Sequence, residues 1–279
     1  MKLRDAIVRF KYHQKSNLKQ RTINSYKYLL SKFEAIYAER SIDSISPDEI
    51  LQFLADLTLN DAKSTRRLRY SQIKTFFNFI IDECNSNIKN PCNASVLTKA
   101  FRLPKQKARK IVDKEAVDEM IYSARCLRDR LILELQARCG LRVGELLQLK
   151  VSDVSERKLI LYEPKSGKES EVAYMPEQIS RRLNEYISMK NLSPESRVFP
   201  ICYSAVRSLI GKLGKKVNLK ITPHDMRRHS ATYASRNGVP LEIVSKVILR
   251  HQNLKTTQLY LGQVSELEAI RWMDILHGK

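Results

Sequence analysis

Residues 224–260 read HDMRRHSATYASRNGVPLEIVSKVILRHQNLKTTQLY. Apolar residues recur at helical spacing over 224–236, 240–249 and 253–260, with Asn237-Gly238, Pro240 and Asn253 at the breaks, so the stretch predicts helices in succession. His224 and Arg227 lie three residues apart on the first of these, on one side of it, where they can approach a single phosphate together. His251 follows, with Tyr260 nine residues beyond it. Arginine, histidine and a late tyrosine suit attack on a phosphodiester.

That reaction needs a nucleophile in line with the leaving 5′ oxygen, donors for the two non-bridging oxygens, and a proton for the leaving alkoxide. Tyrosine, with a pKa of about 10, is only about a thousandth phenolate at pH 7 and requires a strongly positive pocket, a base, or both. Guanidinium groups fit the oxygens because they are planar, permanently charged and bidentate. Arg142 sits just past the helix stop Cys139-Gly140 and can reach the same phosphate from another side. Singly, each residue has an ordinary explanation: Arg142 as a surface cation, His224 as a capping histidine, Tyr260 as a core tyrosine. Their joint arrangement favours the phosphate site.

Upstream of this stretch the pattern stays mostly helical. Asp113 is a candidate N-cap for a helix through Met120 and Ile121, a second helix runs from Leu127 to Ala137, and a third starts at Arg142 in LRVGELLQLK. Lys158–Tyr162 and Glu171–Tyr174 flank the turn PKSGK and predict a β-hairpin. Helical spacing returns over 177–189 and 203–217, and a last amphipathic segment covers 264–276 with Leu267, Ile270, Trp272, Met273 and Leu276. The fold class is mainly α with one small antiparallel hairpin or sheet.

Residues 1–95 read as a separate helical unit. Thr22–Arg40 places Ile23, Tyr26, Leu29, Leu30, Phe33, Ile36 and Tyr37 at three-to-four spacing. Ser46-Pro47-Asp48-Glu49 is a helix start, and a further helix begins after Asn60 with Leu68, Ile73, Phe76, Phe77, Ile80 and Ile81 inward. The outer face of that helix carries Lys63, Arg66, Arg67, Arg69 and Lys74 with no acidic residue between Asp61 and Asp82, which favours contact with phosphates. Asn90-Pro91 ends the unit. Residues 96–112 form a basic linker, in which KAFRLPKQKARK supplies Lys99, Arg102, Lys105, Lys107, Arg109 and Lys110 for DNA. Extended, its twelve residues span about 40 Å. The second domain covers 113–279.

Composition agrees with a polyanionic partner: 50 Lys and Arg against 30 Asp and Glu give a net charge of +20. Eight glycines and nine prolines in 279 residues lean towards helix. Five cysteines without CxxC or zinc-finger spacing argue against a disulfide framework or structural zinc, and for a reducing compartment. The N-terminus lacks the apolar region of a secretory signal and no run is long enough to cross a bilayer, so the expectation is a cytoplasmic or nucleoid-associated protein with no membrane partner.

GLRVGELLQLK around Arg142, HDMRRHSAT around His224 and Arg227, and RHQNLKTTQLY from His251 to Tyr260 resemble the three signature boxes of the tyrosine recombinases, the family of the Xer proteins and phage-type integrases. The N-terminal unit is similar in layout to the family's SAM-like core-binding domain. The resemblance implies a C-shaped clamp on a double-stranded DNA recombination site. It also implies chemistry without metal or cofactor, strand exchange through 3′-phosphotyrosyl links, and a tetramer assembled through the C-terminal tail. It further implies Tyr260 as nucleophile, Arg142 and Arg227 on the scissile phosphate, His224 as base or proton carrier, and His251 as a phosphate hydrogen bond. Lys165, or else Lys168, becomes general acid to the 5′ oxygen, and Glu145 an orienting carboxylate. Arg250 stands where the family usually has glycine, and either adds a phosphate contact or only alters the helix end; His229 is expected to be a packing residue. A type IB topoisomerase shares the nucleophile, but that class typically carries lysine where His224 stands. A non-catalytic DNA-binding relative would not require Tyr260. No further domain is expected ahead of the helical unit, which favours a recombinase needing core sites only, in integration or excision of an element or in dimer resolution.

Overall fold

Leu3, Ala6, Ile7 and Phe10, all buried, form the inner stripe of a helix, α1 (Leu3–Asn17), that the charged side chains between them disguise. In the computed structural model, which describes residues 1–83, 89–103, 111–162, 169–261, 270 and 273–275, α1 packs on α2 (Gln20–Tyr37) and α4 (Lys63–Glu83). Between the last two runs α3 (Pro47–Leu57), opened by a capping box in which Ser46 Oγ accepts from the Glu49 amide at 3.3 Å and Glu49 returns to the Ser46 amide at 2.9 Å. The core is aromatic: Phe10, Tyr26, Phe33, Phe53, Phe76 and Phe77 meet mostly edge to face or tilted.

Three sequence expectations shift here. Leu68 is exposed, because Tyr70, Ile73, Phe77 and Ile80 define the inner face of α4 and a residue two before Tyr70 points away from it. Ile36 is also exposed, at the last turn of α2. The unit does not end at Asn90-Pro91 or at residue 95. Asn90 Oδ1 accepts the Cys92 amide at 2.8 Å, and the chain continues into α5 (Ser95–Ala100). There Leu97 and Phe101 are buried, the Phe101 ring stacking on Tyr70 at 5.3 Å. A single apolar pair four residues apart holds this turn, and the surrounding cations mask it in the sequence. The chain divides into two compact units, 1–107 and 108–279.

The second unit is built around α7 (Leu127–Ala137), buried along most of its length between α6 (Lys114–Tyr122), α9 (Glu177–Met189), α10 (Tyr203–Lys216) and α11 (Pro223–Arg236). After α7, Gly140 adopts φ +62 and α8 (Val143–Gln148) begins with Arg142 as N-cap. The sheet is β1 (Val154–Ser155), β2 (Lys158–Tyr162) and β3 (Ser170–Tyr174), all antiparallel in that order. Leu159 pairs with Ala173 and Leu161 with Glu171, so Glu171 lies on the same, core-facing side as three buried apolar residues. Thr222 and Asp225 cap α11, whose first residue is Pro223. Short α12 (Leu241–Ile243) runs into a π turn, Val244–Ile248, and α13 (Leu254–Leu261) follows. No described helix is long and apolar enough to cross a membrane.

Gly140 is required twice, by its left-handed backbone and by space: a Cβ there would lie 2.7 Å from the Ile248 carbonyl oxygen. Gly140→Ala is expected to lower stability by about 2 kcal/mol or more, read as a drop in the thermal unfolding midpoint by circular dichroism; an unchanged midpoint would contradict this packing.

Candidate active site

Glu145 lies one turn into α8, and its side chain is 8% exposed. Its Oε2 accepts the Arg142 amide at 2.8 Å and Nη2 of Arg250 at 2.8 Å, Oε1 accepts Nη1 of Arg142, and Nη1 of Arg227 is 3.9 Å away. Burial alone would raise its pKa; the guanidiniums of Arg250, Arg142 and Arg227, with the Arg142 amide, outweigh burial and hold it below the usual carboxylate range. Arg227, from the first half of α11, is 2% exposed and donates to the Gly140 and Leu249 carbonyls. Three arginines from three separate elements thus converge on one carboxylate.

Their outward side lines a cavity of about 540 Å³ with Arg142, His224, Arg227, Arg250 and His251 in its wall. Gln252, Asn253 and Thr256, from the same stretch as His251, also line it, as does Tyr203, to which no local motif pointed. Tyr203 opens α10 and arrives only through the packing of α10 on α8. His251 is oriented from behind: Nδ1 lies 3.0 Å from Thr257 Oγ1, which donates to Ser245 Oγ at 2.8 Å. The threonine hydroxyl proton being committed to Ser245, the bond to His251 uses the Nδ1 proton. Burial, then the charges of Arg227, Arg142, Arg250 and His224, lower the pKa of His251 to about 4. At neutral pH it is an uncharged imidazole in a cationic pocket. Tyr260 lies on α13 nine residues beyond His251; its side chain, like Lys165 and Lys168, lies outside the described residues.

A family model, the phage integrase family, matches residues 102–266, and the N-terminal SAM-like domain of phage integrases matches residues 8–84. The chain belongs to the phage integrase family. The tyrosine recombinase XerA of Pyrococcus horikoshii is 32% identical over 252 residues, covering 86% of this chain and 82% of that protein. Among solved structures, the Tn1549 transposon integrase in complex with transposon right end DNA superposes with a TM-score of 0.77 at 16% identity over 99% of both chains. A lambda integrase from a tetramer bound to a Holliday junction gives 0.71 at 17% identity, over 93% of this chain and 77% of that one. This integrase is a tyrosine-type site-specific recombinase, and neither the topoisomerase reading nor the non-catalytic one is favoured.

The integrase departs from the sequence expectation in its cations. Arg250 does not project as a surface cation: although it lies in the cavity wall, its side chain is 3% exposed and its donors go to Glu145, Gly140 and Ile248. On α4, the lack of acidic partners does not leave the arginines projecting. Arg66, Arg67 and Arg69 lie over the rings of Phe101, Tyr70 and Tyr28 at 5.9, 4.9 and 4.8 Å. Arg69 also donates to the Ser25 carbonyl at 2.9 Å, tying α4 to α2. Lys63, Lys99 and Arg102 are exposed and Lys74 half-buried, while Lys105, Lys107, Arg109 and Lys110 lie outside the described residues. His229 is buried, with Nδ1 2.9 Å from the Val112 carbonyl and its ring stacked on Tyr233.

The neutral state of His251 has a consequence for pH. The unfolded chain takes up this proton near pH 6.5 and the folded recombinase only near 4, so the contribution of His251 to stability is present above 6.5 and is lost as pH falls towards 4. Its ring signals in a histidine-resolved NMR titration are expected to move with a midpoint near 4; an ordinary midpoint near 6.5 would show that neither burial nor the arginine field acts on it.

Proposed function

We propose that Tyr260 attacks a phosphodiester of the recombination site in line with its 5′ oxygen, joining the 3′ phosphate to the protein and releasing a 5′ hydroxyl. Arg142 and Arg227 hold the non-bridging oxygens, His251 hydrogen-bonds one of them, and His224 takes or carries the tyrosine proton. A hairpin lysine, Lys165 in preference to Lys168, protonates the leaving 5′ oxygen. Attack by the 5′ hydroxyl of a partner strand on the phosphotyrosine then restores Tyr260, so no external energy source is needed. The observation that carries this reading is one cavity walled by Arg142, His224, Arg227 and His251, residues from three separate stretches of chain, just ahead of the helix that bears Tyr260.

Incubation with a nicked duplex carrying the recombination site is expected to trap a covalent protein–DNA adduct, absent for Tyr260→Phe. Persistence of the adduct in that variant would remove Tyr260 from the role.

The partner is duplex DNA in the cytoplasm, and the working assembly is a tetramer whose tails dock in trans. Exposure supports that docking: Ile270, Met273 and Ile275 are 56, 57 and 56% exposed, apolar side chains that suit a neighbouring surface. Truncation before Ser265 is expected to preserve binding to a single half-site and abolish cooperative assembly in gel-shift titrations. Unchanged cooperativity would mean that the tail serves its own chain.

A further inference from the structure

Arg250 holds a backbone conformation that an arginine rarely adopts, with φ at +50. Its guanidinium is buried and reads two elements at once. Nη2 donates to Glu145 Oε2 at 2.8 Å and to the Gly140 carbonyl at 3.2 Å, and Nη1 to the Ile248 carbonyl at 3.0 Å. On its other edge, Nε lies 3.7 Å from Oε2 of Glu171, too long for a hydrogen bond, and neither of these two buried atoms has a hydrogen-bond partner. Glu171 is the inward residue of β3 opposite Leu161, and β3 packs against the π turn Val244–Ile248. A carboxylate in that register demands a cation, and Arg250 supplies it while holding the carboxylate of the arginine pocket.

We propose that Arg250 is a positioning residue for strand cleavage. The bridge Glu171–Arg250–Glu145 fixes the β2–β3 hairpin in register with the arginines that hold the scissile phosphate. The proton donor carried by the hairpin then meets the 5′ oxygen. This rests on the reading of a hairpin lysine as general acid. A guanidinium is suited to the task because its Nε and Nη edges face different directions in one rigid plane, whereas the point charge of lysine cannot span both carboxylates. Strain at φ +50 would select glycine here, so the side chain at this position is kept for what it touches.

The test compares cleavage of two nicked duplexes of the recombination site, one with the natural 5′ oxygen at the scissile phosphate and one with a 5′ sulfur, a leaving group that needs no proton. Arg250→Gly, Arg250→Lys and Glu171→Gln are each expected to slow cleavage of the oxygen substrate about 10²-fold, the scale of a misplacement of about 1 Å. DNA affinity should be unchanged and the sulfur substrate cleaved near the wild-type rate. Equal slowing on both substrates, or wild-type cleavage of the oxygen substrate, overturns the proposal. Should Arg250→Gly fail to fold by circular dichroism, Glu171→Gln decides by the same readout. Lys165→Ala and Lys168→Ala run beside them. If sulfur rescues neither lysine variant but rescues Arg250→Gly, the general-acid assignment fails and the positioning role stands. If it rescues a lysine variant but not the Arg250 and Glu171 variants, the positioning role fails.

Discussion

The Glu145 carboxylate is the constraint on which the site depends. Arg142, Arg227 and Arg250 come from the start of α8, the first half of α11 and the second residue after the π turn, and like charges brought this close repel. At an effective dielectric of 20, each unit pair near 4 Å is worth about 4 kcal/mol. One buried carboxylate in contact with two of the guanidiniums, with a third at 3.9 Å, offsets much of that repulsion. It leaves a net positive pocket suited to a phosphate. A carboxylate that lost this charge would leave Arg227 and Arg250 buried beside one another with Glu171, 3.7 Å from Arg250, as the remaining described counter-charge, and breaking a buried pair costs about 3–5 kcal/mol.

Backbone geometry does the rest of the assembly. The Gly140 carbonyl accepts from both Arg227 and Arg250, and the Leu249 carbonyl from both Arg227 and Arg142. Gly140 is left-handed, and so is Arg250, two residues beyond the end of the π turn, so both carbonyls lie beside a break in regular helix. Interruptions of regular helix are therefore the means by which the arginines are aimed, in keeping with the tendency of π turns to occur at functional sites.

Much of this was legible in the sequence, and the part that was not has a common cause. His224 and Arg227 were readable because helical spacing of three residues puts them together. Gly140 announced its left-handed stop, and the hairpin followed from strand residues around PKSGK. The role of Arg250 stays open in the sequence because its partners Glu145 and Glu171 are 105 and 79 positions away, and no local pattern gives the inward register of Glu171. Tyr203, Thr257 and Ser245 escaped for the same reason: each reaches the site, or the histidine behind it, through tertiary packing. The arginines of α4 have partners of another kind. Counting acidic neighbours along the helix missed the aromatic faces and the Ser25 carbonyl that hold them.

The neutral state of His251 ties the pocket to its substrate. With its Nδ1 proton committed to Thr257, the imidazole can give a hydrogen bond to a phosphate oxygen only as the imidazolium. Burial first, and then Arg227, Arg142 and Arg250, oppose that charge. A phosphodiester between Arg142 and Arg227 brings a negative charge that cancels part of the field and favours the protonated ring. Under the proposed assignment the donor is thus completed by the group it serves. If Tyr260 is the nucleophile, as proposed, the same residual positive field would lower the cost of its phenolate at the bound phosphate. An arginine cluster held together by one carboxylate accounts for both effects, because its charge is large when the site is empty and partly neutralised once a phosphate is bound.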